Sequence, residues 1–470
     1  MGIEINEQIF MQVLEKIDKL WEEEISFLQN IGHYPSTLGN EKAVQNFVAK
    51  FFQEELGLEV DKFIPDPKQI SSHPGYSPVE WSYEGRPVVV GQWKTGKPNI
   101  GKSLILQGHI DVVSPEPLCF WNYNPWGSTI VGKKMYGRGM QDMKSGIAAM
   151  VFAVKAIKGC GIELGADVLL ETVIEEECTG NGALAALERG YVADGALIPE
   201  PFGMSGLIAQ VGVIWVRVRI VGRGSHVERA DLAINAIEKA YILVNALKEY
   251  EKHINSKPKH RDFEHLEHPL NVNVGLIRAG DWPSTVPSEC VFEARVGLYP
   301  GEDPFKIKEE VKEWLLKAAQ TDEWLRQTPP EITFYGFHAE GAALDKELDI
   351  FKELANAHKL TTGNELEFDV TTATSDMRFY NLYYNIPATC YGPLGGDMHG
   401  ADEWVDLESV KAVTKTYAAF ILGWCGVRLF KKEYRRGRTI VCFLGSLFFH
   451  KYDHGPAGNE ESLSLRWGYY

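Results

Sequence analysis

The chain lacks most of what would assign it to a secreted scaffold, a membrane or a nucleic acid. Its seven cysteines (119, 160, 178, 290, 390, 425 and 442) are scattered, odd in number and never in a Cys-x-x-Cys arrangement. Neither a disulfide framework nor a thiolate zinc site is therefore expected, and a reducing, cytoplasmic compartment is. No apolar run approaches the ~20 residues that span a bilayer. The first residues are acidic, without the basic and apolar regions of a secretory signal, and Asn6 breaks the myristoylation pattern. Basic surplus is missing too. With 48 Lys and Arg against 64 Asp and Glu, the formal net charge is −16, which repels nucleic acid and anionic membranes as general partners. There is no internal repeat, no low-complexity tract, and no complete dinucleotide or P-loop glycine pattern, so Gly137 and Gly139 read as turn glycines.

What remains is an ordinary enzyme-like composition. The 470 residues are 44% hydrophobic and 24% charged, enough for a large core and too long for one average domain, so two domains are expected. Residues 7–31 and 41–56 have helical spacing of apolar side chains, and the Pro-, Gly- and Ser-rich interval 64–87 reads as a long surface loop. Short apolar strands (88–91, 104–107, 167–174, 196–198) then alternate with helices such as 144–158, ended by Gly159. This predicts a mostly parallel sheet covered on both faces.

The pattern changes at 211. Residues 211–221 alternate as a half-exposed strand does; a helix over 231–251, strands over 271–277 and 290–298 and a helix over 304–320 follow. That order predicts a small α+β, ferredoxin-like domain inserted into the larger one. The expected organisation is a catalytic domain in two parts, 1–210 and 331–427, a lid or dimerisation domain over 211–330, and a tail from 428 to 470. The tail is basic over 431–438 and apolar over 439–450, and no function is assigned to it.

Five segments place metal-capable or acid/base side chains just after apolar runs. They are Gln-Gly-His109-Ile-Asp111, Gly-Arg-Gly-Met-Gln-Asp142-Met-Lys, Ile-Glu175-Glu176-Glu177-Cys-Thr-Gly-Asn-Gly, Pro-Glu200-Pro and Gly-Gly-Asp-Met-His399-Gly-Ala-Asp-Glu. Residues delivered from the carboxyl ends of parallel strands converge on one crevice. Two His and several carboxylates suit zinc-like ions. Singly, each has a plainer reading: a helix cap for Asp142, a turn acid for Glu200, a solvated acidic strand end for Glu175 to Glu177.

In this order the five segments resemble those of the co-catalytic metallopeptidase and deacylase family that includes acetylornithine deacetylase, succinyl-diaminopimelate desuccinylase, aminoacylase and glutamate carboxypeptidase. The resemblance covers roughly residues 10–427. It implies two divalent ions, zinc with cobalt or manganese as substitutes. Asp142 would bridge them, His109 and Glu200 complete one, and Glu177 and His399 complete the other. Three carboxylates and a bridging hydroxide would balance the four positive charges. The family's glycine five residues beyond the ligand matches Gly182, which makes Glu177 the ligand and Glu176 the general base.

Asp111 would orient the His109 ring. His226, in Gly-Arg-Gly-Ser-His, resembles a residue that reaches a partner subunit's site and steadies the oxyanion, with an ordinary turn histidine as the alternative. Arg295 and Arg378 resemble substrate-side positions, and Arg378 would clamp a carboxylate; structural ion pairing is the alternative for both. The chain departs from the family at Thr285, where many members have Asn.

The expected activity is removal of an acetyl, succinyl or formyl group from a small N-acylated amine or amino acid by a homodimer joined through the inserted domain. A dipeptidase or carboxypeptidase with the same metal chemistry is the alternative, and a non-catalytic binding protein of this fold is the alternative from another class.

Overall fold

Asn6 opens the first helix by accepting the Ile9 amide, and the helix runs Glu7–Gly32 with Phe10, Val13, Ile17, Phe27 and Leu28 on its buried side. The computed structural model describes residues 6–428; the basic and apolar stretches expected at 431–450 lie outside the described residues. Among the described residues no helix is long and apolar enough to cross a membrane, and the six cysteines are unpaired.

The larger sheet begins with β1 (Glu59–Phe63), β2 (Val88–Trp93), β3 (Leu104–His109), β4 (Val168–Val173) and β5 (Ala196–Ile198). β3 lies between β4 and β5 and parallel to both, while β2 runs antiparallel to β4 and β1 antiparallel to β2. All six residues of β3 are buried, which is why it opens on three consecutive apolar residues, Leu104 to Leu106, rather than on an alternation. Helices Glu7–Gly32, Ser145–Gly159 and Leu407–Cys425 pack on one another and on this layer. Gly159, expected just past its helix, is the last helical residue. The left-handed position that a helix exit favours is taken by Gly161, at φ +69°.

A second sheet follows, of β6 (Gly212–Val221), β7 (Val272–Ala279), β8 (Glu289–Leu298) and β9 (Glu331–Ala339). Its order is β7-β8-β6-β9, antiparallel throughout. Ile214, Val216, Val218 and Ile220 on one face of β6 join Leu243, Leu247, Val311 and Leu315 of helices Ala236–Ser256 and Pro304–Ala319 in a core separate from that of the first layer. Strand, helix, two strands, helix, strand is the ferredoxin-like order.

Two local expectations shift. The helix expected from 231 starts at Ala236, capped by the Asn235 side chain, because residues 227–232 form their own short 3-10 segment. Residues 331–335, expected as a strand that resumes the first layer, belong instead to β9, which pairs with β6 and completes the second sheet; alternation reveals a strand but not which sheet it joins. The chain re-enters the first layer later, and β10 (Ala388–Cys390) adds in parallel beside β5.

The interval 64–87 is only partly a surface loop. It holds a helical turn, Pro67–Ile70, and buries Ser77, Tyr83 and Arg86.

The helix that follows Asp142 lies hard against the turn that carries Glu200. A Cβ added to Gly146 would stand 2.2 Å from the Pro199 carbonyl oxygen. Gly146→Ala is therefore expected to lower unfolding stability by about 1–3 kcal/mol or more, read from chemical denaturation. An unchanged midpoint would mean that helix and turn have room to part.

Candidate metal centre

β3, β4, β5 and β10 are parallel, so the segments that leave their carboxyl ends open on one side of the sheet. His109 is the last residue of β3 and is fully buried. Its Nε2 lies 3.0 Å from Asp142 Oδ1, 3.7 Å from Glu200 Oε1 and 3.8 Å from Glu176 Oε2. The other oxygen of Asp142 faces a different imidazole, Oδ2 lying 3.4 Å from His399 Nε2, which is also 3.2 Å from Glu177 Oε2. Asp142 thus stands between the two histidines, with Glu200 and Glu176 on the His109 side and Glu177 on the His399 side. Single donor atoms of His109, Glu176 and Glu200 fall within 4.8 Å of one another, as do those of His109, Asp142 and Glu177.

The electrostatics are those of a cluster short of positive charge. Burial, together with the charges of Glu200 and Asp142, pushes Glu176 and Glu200 respectively well above the usual carboxylate range. The His399 imidazole is pushed up to about 11 by Glu177 and Asp142. Burial pulls His109 down, but its bond to Asp142 and the charges of Glu200 and Glu176 raise it well above the usual range. Asp142 is held low by both imidazoles against the opposing effect of burial. Glu200 Oε1 is buried without a hydrogen-bond partner, which in a folded protein calls for an explanation. Nitrogen and carboxylate donors crowded round such an atom fit divalent cations, which supply the missing charge to all of them at once.

Two loops hold this arrangement, and the sequence reading did not single out the side chains that do it. Glu403 is buried and accepts the amides of Gly139, Gln141 and Asp142 at 3.1, 2.9 and 3.1 Å. It pairs with the buried Arg138 at 2.5 Å, and Arg138 donates to the carbonyls of His399 and Gly400 at 3.2 and 3.0 Å. One ion pair therefore ties the Asp142 turn to the His399 turn, where His399 itself is left-handed at φ +63°. The signal was there: Arg138 and Glu403 lie inside the two segments that carry Asp142 and His399.

The Asp111 carboxylate makes no hydrogen bond to His109, its Oδ1 lying 3.7 Å from Nδ1. The backbone carbonyl of Asp111 meets Nδ1 at 2.9 Å, because two residues along an extended chain the carbonyl is the nearer acceptor. The carboxylate instead accepts the amides of Glu176 and Glu177 at 3.4 and 3.2 Å, and burial pushes it up to about 7.

Arg378, expected either to clamp a substrate carboxylate or to sit in a structural ion pair, is fully buried and takes the second arrangement. It pairs with Glu340 at 3.2 Å and donates to the Thr179 carbonyl at 2.9 Å; a buried guanidinium needs such internal partners. Arg295, on β8, donates to the carbonyls of Thr372 at 2.8 Å and Asn271 at 3.4 Å and pairs with no acid among the described residues. Among the described residues His226 makes no hydrogen bond or ion pair with the cluster. Residues 225–226 pair with Thr285 and Val286, and the exposed His226 ring accepts the Glu228 amide at 3.2 Å.

The model of "Peptidase family M20/M25/M40" matches residues 105–423. Two curated relatives, both named N-formyl-4-amino-5-aminomethyl-2-methylpyrimidine deformylase, match nearly end to end. The one from Halalkalibacterium halodurans is 28% identical over 89% of this chain and 98% of its own. The one from Bacillus subtilis is 27% identical over 90% and 99%. Among solved structures, the dipeptidase Dug1p of Saccharomyces cerevisiae superposes with a TM-score of 0.72 at 16% identity, over 88% of this chain and 98% of its own, a likeness of fold.

Proposed function

The chain belongs to peptidase family M20/M25/M40, and from that membership we propose that it is a metal-dependent amidohydrolase removing a small acyl group, formyl foremost, from an amine. The observation that carries the hydrolytic reading is Asp142, whose two oxygens face two different imidazoles inside a buried acidic cluster. The two relatives matched over almost their whole length, both named as deformylases, carry the choice of a formyl group. The amine of such a substrate is carried on a small heteroaromatic ring.

His109, Asp142 and Glu200 would hold one ion, and Asp142, Glu177 and His399 the second. Zinc, cobalt and manganese all suit these donors. Two bound divalent ions supply an acidified water and a polarised amide carbonyl. Glu176, buried beside His109 and Glu200, takes the proton of the attacking water and passes it to the leaving nitrogen, because it faces the centre without being needed as a ligand. Asp111 holds the amides of Glu176 and Glu177 and so sets both acids together. Arg295, reaching from the second sheet to the 371–376 segment, is the cation best placed to meet an anionic or polar part of the substrate. Residues 211–339 act as the lid. His226, exposed and unbonded to the cluster among the described residues, serves the oxyanion of a partner copy in a homodimer. The unpaired cysteines fit action in a reducing compartment such as the cytoplasm.

The reading is tested with N-formyl, N-acetyl and N-succinyl amines beside dipeptides, the named formylated aminopyrimidine among them. Formate release should dominate, vanish on chelation and return with zinc, cobalt or manganese. Dipeptides cleaved in preference would replace the deacylase reading with a peptidase, and clearly fewer than two ions per chain in fully active protein would remove the two-ion mechanism.

The acid roles separate by substitution. Glu176→Gln should keep both ions while activity falls by ~10²–10⁴-fold or more, whereas Glu177→Gln should lose an ion. The reverse result would exchange the two roles. Mixed with equally inactive His226→Ala chains, Glu176→Gln chains should regain partial activity, since a mixed dimer has one site with both groups intact. No recovery after verified subunit exchange would confine His226 to its own chain.

A further inference from the structure

The segment from Ser77 to Arg86 makes more contacts with the catalytic loop than a connecting loop requires. Three of its side chains converge on Glu175, the one acid of the Glu175–Glu177 run that faces away from the metal cluster. Trp81 Nε1 and the Tyr83 hydroxyl each donate to the Glu175 carboxylate at 2.6 Å, and Arg86 pairs with it at 2.5 Å. Arg86 also pairs with Glu41, at 2.6 Å. Glu175 is fully buried and left-handed at φ +68°, a backbone region that a non-glycine residue occupies only when its surroundings hold it there. Its carbonyl accepts the amides of Thr179 and Gly180 at 2.8 and 2.7 Å, which closes the loop that begins with Glu176 and Glu177.

The same segment grips the second sheet. Ser77 Oγ donates to the Thr179 carbonyl of the acid loop and accepts the amide of His338 on β9, both at 3.1 Å. The Pro78 carbonyl accepts the Gly336 amide at 2.8 Å, and Glu80 accepts both of its bonds from Arg217 of β6, at 2.9 and 2.8 Å. Between residues 77 and 86, then, one short stretch bonds to two strands of the lid and to both ends of the loop that presents the base and a metal ligand.

We propose that residues 77–86 are a positioning strap that sets Glu176 and Glu177 through Glu175 and ties that setting to the lid sheet. The inference rests on the metal-centre reading above. A buried carboxylate fixed by three donors on one segment cannot turn without that segment moving, and the segment cannot move without breaking its bonds to β6 and β9. A coupling of this kind runs through bonded contacts that both ends share, and shifts of a fraction of an ångström in a base or ligand are enough to lower a rate.

The experiment uses the full chain loaded with Co(II), whose visible absorption reports the ligand field directly. Trp81→Phe and Tyr83→Phe each delete one donor to Glu175, and Ser77→Ala deletes the hydroxyl shared by the acid loop and β9. Each should alter the cobalt spectrum and lower kcat by ~10–100-fold, the range seen when groups that orient metal ligands are removed, with KM little changed. Variants with lowered thermal midpoints but wild-type spectra and kcat would show a merely structural segment and overturn the proposal. If only Ser77→Ala is silent, the tie to the lid is overturned. If Tyr83→Phe does not fold, Trp81→Phe decides the Glu175 end. Failure of the wild type to bind cobalt would overturn the metal centre, and the strap with it, which separates that failure from failure of the strap alone.

Discussion

The constraint on which the site depends is the crowding of carboxylates out of water. Asp111, Asp142, Glu176, Glu200 and Asp376 are all buried near His109, and Glu177 stands beside them. Like charges in a poorly solvated space push one another toward protonation unless cations meet them. The protein meets part of this demand with two imidazoles, and the remainder is of the kind that divalent cations fit. The unpartnered oxygen of Glu200 and the upward push on Glu176 and Glu200 are two expressions of the same deficit. The chain's overall excess of acids does not create this local deficit; the convergence of four parallel strand ends does.

Holding repelling groups in place requires partners outside the cluster. Arg138 with Glu403, and Arg86 with Glu41 and Glu175, are buried ion pairs lying behind the loops that carry the acids. Removing one member of such a pair leaves an uncompensated buried charge, which is strongly destabilising. Both arginines also bridge distant parts of the sequence. Arg138 reaches 265 positions to Glu403 and Arg86 reaches 89 to Glu175, so the geometry of the centre is fixed by long-range contacts rather than by the motifs themselves.

That distance explains what could be read from the sequence. β3, β5 and the four strands of the second sheet follow from apolar runs and alternation, and the five segments from their short-range spacing. Glu175 read only as a strand-end acid because its partners, Trp81, Tyr83 and Arg86, lie in an interval whose Pro, Gly and Ser content signals turns and says nothing of burial. For Arg378 a substrate clamp and a structural ion pair stayed open because Glu340 and the Thr179 carbonyl are brought to it only by folding. Asp111 was placed on the correct side of His109, but sequence spacing does not distinguish a carbonyl from a carboxylate as the acceptor. Residues 331–335 were visible as a strand, and the sheet they join was not.

β10 joins the first layer beside β5 only after the whole second sheet has been passed, its Cys390 lying 192 residues after its register partner Ile198. During synthesis, β5 therefore waits as an open edge while the second sheet emerges. An unpaired parallel edge is a template for wrong pairing, and contacts of such long sequence separation form slowly. His399 emerges later still, so the nascent chain carries four of the five proposed ligands before the fifth exists. Assembly of the centre is thereby placed near the end of folding, and a newly made chain must hold its crowded acids protonated or solvated until then.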